Sequence, residues 1–212
     1  LHLADSPEEE FFFMNEEDRL TSSMKLALTH DTRDSHFFPT RGNRASVFGS
    51  VAGGVLGFDT DIYGAGITSS HYVPLWFGHV LGFRLRYEMV EEYGSSDEVP
   101  IGERLFLGGG RTVRGFQWRD VGPKVIREST TSDGRVVIKD RPVGGRSLAL
   151  GTVEYTIPIV KGIRFAGFYD TGNVWWDVGE LDLADLASGA GVGLRLDVPG
   201  FPIRIDRAWV VE

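Results

Sequence analysis

The sequence predicts an all-β fold: an antiparallel transmembrane β-barrel, of which this chain supplies about eight strands of a larger whole. Three observations carry that expectation. Segments of period two recur along the chain, each near the ~9–11 residues that a tilted strand needs to cross a bilayer. Their connections alternate between short turns set by Pro or Gly and longer polar loops. Charge recurs in the middle of strands, while aromatic residues (Trp76, Phe77, Tyr93, Trp175, Trp176) gather at strand ends.

Taken in order, residues 1–20 read as an acidic, solvated loop, with SPEEE followed by Glu16, Glu17 and Asp18. MKLALTHDTR then sets Met24, Leu26 and Leu28 against Lys25, Ala27, Thr29, Asp31 and Arg33. After the turn FFPTRGN come two weaker strands, RASVFGSV and DIYGAGITSSHYV, and the turn PLWFG. LGFRLRYEM alternates clearly, with Leu81, Phe83, Leu85, Tyr87 and Met89 opposite Gly82, Arg84, Arg86 and Glu88. The longest connection follows, residues 94–146.

Beyond it, ALGTVEYTI places Ala149, Gly151, Val153, Tyr155 and Ile157 on one face and Leu150, Thr152, Glu154 and Thr156 on the other. RFAGFYDTGNVW sets Phe165, Gly167 and Tyr169 against Arg164, Ala166, Phe168 and Asp170. A second long connection, 176–188, leads to GVGLRLDV, where Val192, Leu194, Leu196 and Val198 oppose Gly191, Gly193, Arg195 and Asp197. PIRIDRAWV is the last strand. It carries Arg207 on the side of Ile203 and Ile205. A lipid-facing arginine costs ~2–4 kcal/mol at the bilayer midplane and little near an interface, so Arg207 is expected near a rim.

Composition removes several function classes. The chain has no Cys, so disulfides, thiolate metal sites and cysteine nucleophiles are excluded. A net charge of -8 argues against a nucleic-acid partner. No apolar run approaches the ~20 residues of a spanning helix, which leaves strand spans open. A lipocalin-like barrel or a sandwich shares the period with the apolar side turned inward. Periodicity does not say which face points in; the mid-strand charges and terminal aromatics favour the membrane.

The long connection contains GGGRTVRGFQWRDVGPK, with three arginines and a lysine among Phe, Trp and Val. A connection of this length is commonly functional or disordered, and this one is too apolar for a plain solvated tail. If it folds into a barrel lumen, its charges need carboxylates or water. Strand phase offers Glu154 and Asp170, on the polar sides of neighbouring strands. Arg114 is the cation of choice for them, because a guanidinium binds carboxylates in a bidentate fork where lysine cannot.

At this point the sequence resembles the bacterial surface antigen superfamily, the BamA-like assembly and translocation barrels of the outer membrane. The most specific match is ERLFLGGGRTVRGFQWRDVGPK. LTHDTRDSHFFPTRGNRASV, GTVEYTIPI, GFYDTGNVW and GLRLDVPGFPIRID follow the family's pattern in the right order. The resemblance implies a barrel of about sixteen strands that inserts or translocates other proteins, preceded by periplasmic docking domains. It also implies that loop 94–146 enters the lumen.

On that resemblance the functional motif is Val113, Arg114, Gly115 and Phe116, supported by Gly108, Gly109, Gly110, Gly122, Pro123 and Lys124. The loop arginine maps to Arg114 and its wall carboxylates to Glu154 and Asp170. Membrane lipid and unfolded outer-membrane proteins are the implied partners, with accessory lipoproteins reached through the docking domains. The implied location is the bacterial outer membrane, with no enzymatic activity and no cofactor. The match begins about half way through the family's barrel and stops short of its closing strand, so the chain reads as a fragment.

Rival readings are weaker. Asp170-Thr171-Gly172 is the triplet of aspartic proteases, but their chemistry needs two carboxylates sharing one proton and a single copy supplies one. His30, Asp31, Asp34 and His36 suggest a metal, yet alternation turns His30 and Asp31 to opposite faces. GGGRTVRG lacks the Lys-Ser/Thr of a P-loop and opens no helical pattern. A barrel that secretes a single partner protein remains as an alternative to an insertion factor.

Overall fold

The computed structural model describes residues 2–3, 21–57, 60–130, 136–198 and 201–211. The acidic stretch from SPEEE to Asp18 lies outside the described residues. The strands are β1 (His2–Leu3), β2 (Ser23–Asp31), β3 (Gly42–Ala52), β4 (Ile62–Pro74), β5 (Val80–Glu92), β6 (Lys124–Thr130), β7 (Val136–Pro142), β8 (Ser147–Val160), β9 (Ile163–Trp175), β10 (Ala187–Val198) and β11 (Phe201–Val211).

Eight of these form one sheet in the order β11-β10-β9-β8-β5-β4-β3-β2, antiparallel throughout. Each strand pairs with its neighbour in sequence except at β5 and β8, which pair across the long connection. The eight strands are those that the alternation predicts. One end of the sheet carries the short turns 75–79 and 161–162 together with the ten-residue connection 32–41. At the other run residues 53–61, 93–146 and 176–186.

The register fixes two faces. Leu26, Val47, Ile67, Leu85, Val153, Phe165, Leu194 and Ile205 belong to the apolar one and are exposed, Leu26 to 72% and Leu85 to 64%. An apolar surface continuous across eight strands far exceeds the patches that a soluble monomer leaves in water, and it suits contact with lipid. Arg207 stands on this face with its guanidinium carbon 5.5 Å from the centre of the Trp209 ring, towards the long-loop end.

The opposite face carries Asp31, Arg84, Arg86, Glu88, Glu154, Asp170, Arg164, Arg195, Arg204 and Asp206. Near the long loops, however, it turns apolar. There Leu148 and Leu150 of β8 and Val174 of β9 pack under Leu107, Val113 and Val121 of the long connection. A second cluster joins Ala52, Ile62, Val90 and Val99. Leu150 interrupts the polar side of its strand because a loop, not water, covers it.

The connection 93–146 also has more internal structure than expected. β6 and β7 form an antiparallel hairpin, and β1 pairs parallel with the outer edge of β6. The reason is local: two runs rich in β-branched residues, KVIREST and VVIKDRP, follow each other closely in the chain. The ladder around Leu105 and Gly145, with N–H···O distances of 2.9 and 3.0 Å, closes the base of this excursion.

Candidate functional site: an arginine of the long loop among strand carboxylates

The turn that carries VRGF is held by its own backbone and by apolar contact. Leu107 bridges to Val121, and the Gly108 N–H donates to the Thr112 hydroxyl at 2.9 Å. Val113 is completely buried in the cluster with Leu148, Leu150 and Val174, and Phe116 packs against the same cluster. Between them Arg114 points the other way, into the polar face of the sheet. The motif thus alternates anchors: an apolar one, a charged one, then a second apolar one.

Arg114 is 5% exposed and Asp170 of β9 is 1% exposed. Nε of Arg114 donates to Asp170 Oδ2 at 2.6 Å and Nη2 to Oδ1 at 2.8 Å, while the Arg114 backbone N–H reaches Oδ2 at 3.2 Å. Its remaining nitrogen, Nη1, donates to Glu154 Oε2 at 3.2 Å and to Asp206 Oδ2 at 3.3 Å. The guanidinium carbon lies 3.3 Å from the centre of the Phe168 ring, whose π face favours the cation.

Two further arginines complete the cluster. Arg195 of β10, 3% exposed, donates from Nε to Glu154 Oε1 at 3.1 Å, from Nη2 to Glu154 Oε2 at 2.7 Å, and from Nη1 to Asp206 Oδ1. Arg204 of β11 reaches Glu154 Oε2 at 3.2 Å. Three guanidiniums therefore face three carboxylates drawn from β8, β9 and β11. Burial works against the charge of Arg114, but its bonds to Asp170 and the charges of Asp170 and Glu154 outweigh that, holding the group above the usual arginine range. Charged hydrogen bonds of this kind are the strong ones, and so many in one place make the site rigid.

Two glycines make room for the loop backbone. A Cβ at Gly189 of β10 would strike the carbonyl oxygen of Arg114. Gly115 has φ +104, and a Cβ there would sit 3.0 to 3.1 Å from the backbone of Trp209 and Val210 of β11. The VRGF backbone thus lies directly against the backbones of two strands.

Of the other residues singled out from the sequence, Gly108 sits beside the backbone of Gln117 and Asp120, and Gly109 faces Trp118. Gly110 borders open space. Gly122 packs on Val174, the Pro123 carbonyl accepts the Val143 N–H at 3.2 Å, and Lys124 pairs with Asp120 at 2.6 Å. Sequence reasoning named neither Arg195 nor Asp206 as part of the site. Phase placed Arg195 on the polar side of its strand, which was the available signal; its convergence on Glu154 depends on strand pairing.

Elsewhere, Asp170 engages both oxygens with one arginine, which makes it an ion-pair partner and not half of a proton-sharing dyad. Asp31 is held by Arg33 through a fork of 2.9 and 2.7 Å, and Asp34 by the Thr40 N–H at 2.8 Å. Among the described residues no cluster of His, Asp and Glu could hold a metal ion.

The model of the Omp85 superfamily domain matches residues 5–212. Outer membrane protein assembly factor BamA of Nitratidesulfovibrio vulgaris (strain Hildenborough) is 30% identical over 200 residues, covering 89% of this chain and 24% of that protein. BamA of Neisseria meningitidis serogroup B is 28% identical over 147 residues, 67% of this chain and 17% of that protein. The SAM50-like protein CG7639 of Drosophila melanogaster is 25% identical over 187 residues, 84% of this chain and 38% of that one.

In fold, the chain resembles the crystal structure of BamA from Haemophilus ducreyi lacking POTRA domains 1–3, with a TM-score of 0.74 at 23% identity, over 90% of this chain and 39% of that one. The chain thus spans about a quarter of the first of these relatives, at 24%, and well under half of the others.

Proposed function

Because the chain belongs to the Omp85 superfamily, we propose that it forms part of the barrel of an outer-membrane protein assembly factor, which inserts β-barrel proteins into the bacterial outer membrane. Relatives from two bacteria carry that name. The single observation that carries the reading is the locked VRGF turn: a loop arginine buried among wall carboxylates on the polar side of a sheet whose other side is apolar.

On this reading the polar face lines the lumen and residues 94–146 fold into it. Lipid surrounds the apolar face, unfolded outer-membrane proteins are the substrates, and accessory lipoproteins dock on domains that precede the barrel. The work is mechanical and no covalent reaction is catalysed. A strand seam elsewhere in the barrel offers unpaired backbone groups to an incoming strand. Arg114, Glu154 and Asp170 brace the wall while the seam opens.

The test is complementation. Cells depleted of the full-length protein and supplied with its Arg114→Ala variant should accumulate unfolded outer-membrane proteins, read as loss of heat-modifiable bands. Normal levels of folded porins in those cells would sink the reading, as would recovery of the full-length protein from the aqueous fraction.

A further inference from the structure

The polar face is approached from the short-turn end as well as from the long loop. There the connection 32–41 has ten residues, against five in 75–79 and two in 161–162. Its own side chains fix its shape. The Asp31 carboxylate accepts a fork from the Arg33 guanidinium at 2.9 and 2.7 Å and the Arg33 backbone N–H at 3.1 Å. The Asp34 carboxylate accepts the backbone N–H groups of Thr40 at 2.8 Å and Arg41 at 3.3 Å, together with the Thr40 hydroxyl. At the base Gly42 has φ +94, and a Cβ there would strike the Thr32 carbonyl.

This connection joins β2 to β3 but extends beyond both. The Arg33 guanidinium also interacts with Tyr72 of β4. Tyr72 stands level with Gly82 of β5, and Gly82 with Glu154 of β8. A Cβ at Gly82 would lie 3.2 Å from the Tyr72 ring, so the ring uses the room that this glycine leaves. Phe37, Phe38 and Pro39 border the open cavity that Arg84, Arg114 and Glu154 also border. The tip of the connection and the VRGF turn therefore reach one space on the polar face, from opposite ends of the strands.

An apolar tip is unexpected on a face of paired charges: Phe37 is 69% exposed, and Phe38 and Pro39 are half-buried. In a water-filled passage, apolar side chains drive water out and remove the path for ions with it. We propose that the connection 32–41 is a flap that seals the short-turn mouth of the lumen against ions and small polar solutes, with Phe37, Phe38 and Pro39 as the seal and Arg33 as its latch. The flap rests on the reading of the polar face as a lumen wall. It gives the barrel a second function, that of a permeability barrier standing in series with the VRGF turn.

The experiment measures the conductance of single insertions of the full-length protein in planar bilayers of phosphatidylethanolamine and phosphatidylglycerol, bathed in potassium chloride. The wild type is compared with F37S/F38S, F37L/F38L and R33A, each checked for a folded barrel by heat-modifiable mobility. The serine pair should conduct several-fold more than the wild type, and the leucine pair should conduct as the wild type does. R33A, which frees the flap from Asp31 and Tyr72, should flicker between the two levels.

A folded serine pair with wild-type conductance would overturn the proposal. So would a leucine pair as leaky as the serine pair, since the seal would then not lie in apolar character. If the serine pair does not fold, R33A decides: flicker supports the flap, and a wild-type trace overturns it. Recovery of the protein from the aqueous fraction would remove the barrel reading and the flap with it. Insertion with equal conductance of all four proteins would remove the flap alone.

Discussion

Arg114 and Asp170, 56 residues apart in the chain, are joined by three hydrogen bonds: two from the guanidinium at 2.6 and 2.8 Å and one from the Arg114 backbone N–H at 3.2 Å. One carboxylate therefore fixes both the side chain and the backbone of the VRGF turn to β9. A lysine could reach one oxygen but could not form the fork.

Breaking a buried ion pair costs about 3–5 kcal/mol, because the partner stays behind without a counter-charge. Arg114→Ala leaves Asp170 in that state, so we expect a loss near the lower end of this range, with Arg114→Lys between it and the wild type. Protease cleavage within 108–124 should rise in the same order. Equal cleavage of all three proteins would refute the role given to the fork.

Glu154 is the hub of the cluster, accepting bonds from Arg114, from two nitrogens of Arg195 and from Arg204. Asp206 serves the same three arginines with fewer close contacts. Hydrogen bonds to charged groups contribute about 1.5–3 kcal/mol each when made, and an amide in place of this carboxylate loses the charge and turns one accepting oxygen into a donor that faces the arginines. Glu154→Gln should therefore lower the melting temperature of the full-length protein more than Asp206→Asn. The reverse order would show that the site is centred on β11.

The strand pattern was legible because alternation is a local property: each of the eight segments announces its two faces without reference to its neighbours. The same phase picked out Glu154 and Asp170, and chemistry pointed to Arg114. What local sequence could not show is which strands sit side by side. Arg195 reaches Glu154 across β9, and Asp206 meets Arg114 over a separation of 92 residues. Phase sets Leu150 on the polar side of its strand with Glu154, and only the loop that covers it explains its apolar side chain. The β6–β7 hairpin went unread because its alternation is mixed with charge.

The glycines of β10 make a testable claim about how near the loop lies. A methyl group at Gly189 would overlap the Arg114 carbonyl, whereas one at Gly167 of β9 meets nothing within 4 Å. Gly189→Ala should displace the VRGF turn and expose it to protease, with the sheet intact by circular dichroism. Gly167→Ala should behave as the wild type. If both variants resist protease equally, the loop does not rest on β10.

The root of the long loop is held by a different device. The Asp61 carboxylate accepts the backbone N–H groups of Gly54 at 2.6 Å and Ser95 at 3.0 Å and the Ser95 hydroxyl at 2.8 Å, while the Asp61 N–H donates to the Ser96 hydroxyl at 2.8 Å. This ties the 53–61 connection to the first residues after β5. The N–H groups of Ser95 and Gly54, followed by the Ser95 hydroxyl, hold the carboxyl below the usual aspartate range. A depressed folded-state value means that the stabilisation is complete above the unfolded value of about 3.9 and is lost as pH falls through the lower folded one. Pepsin should therefore cut the wild-type loop root increasingly as pH drops below about 4. Asp61→Asn keeps the shape of the side chain but loses its charge and one acceptor, so its loop root should be cut readily already at the upper end of that range. Identical pH profiles for the two proteins would mean that Asp61 does not hold the loop.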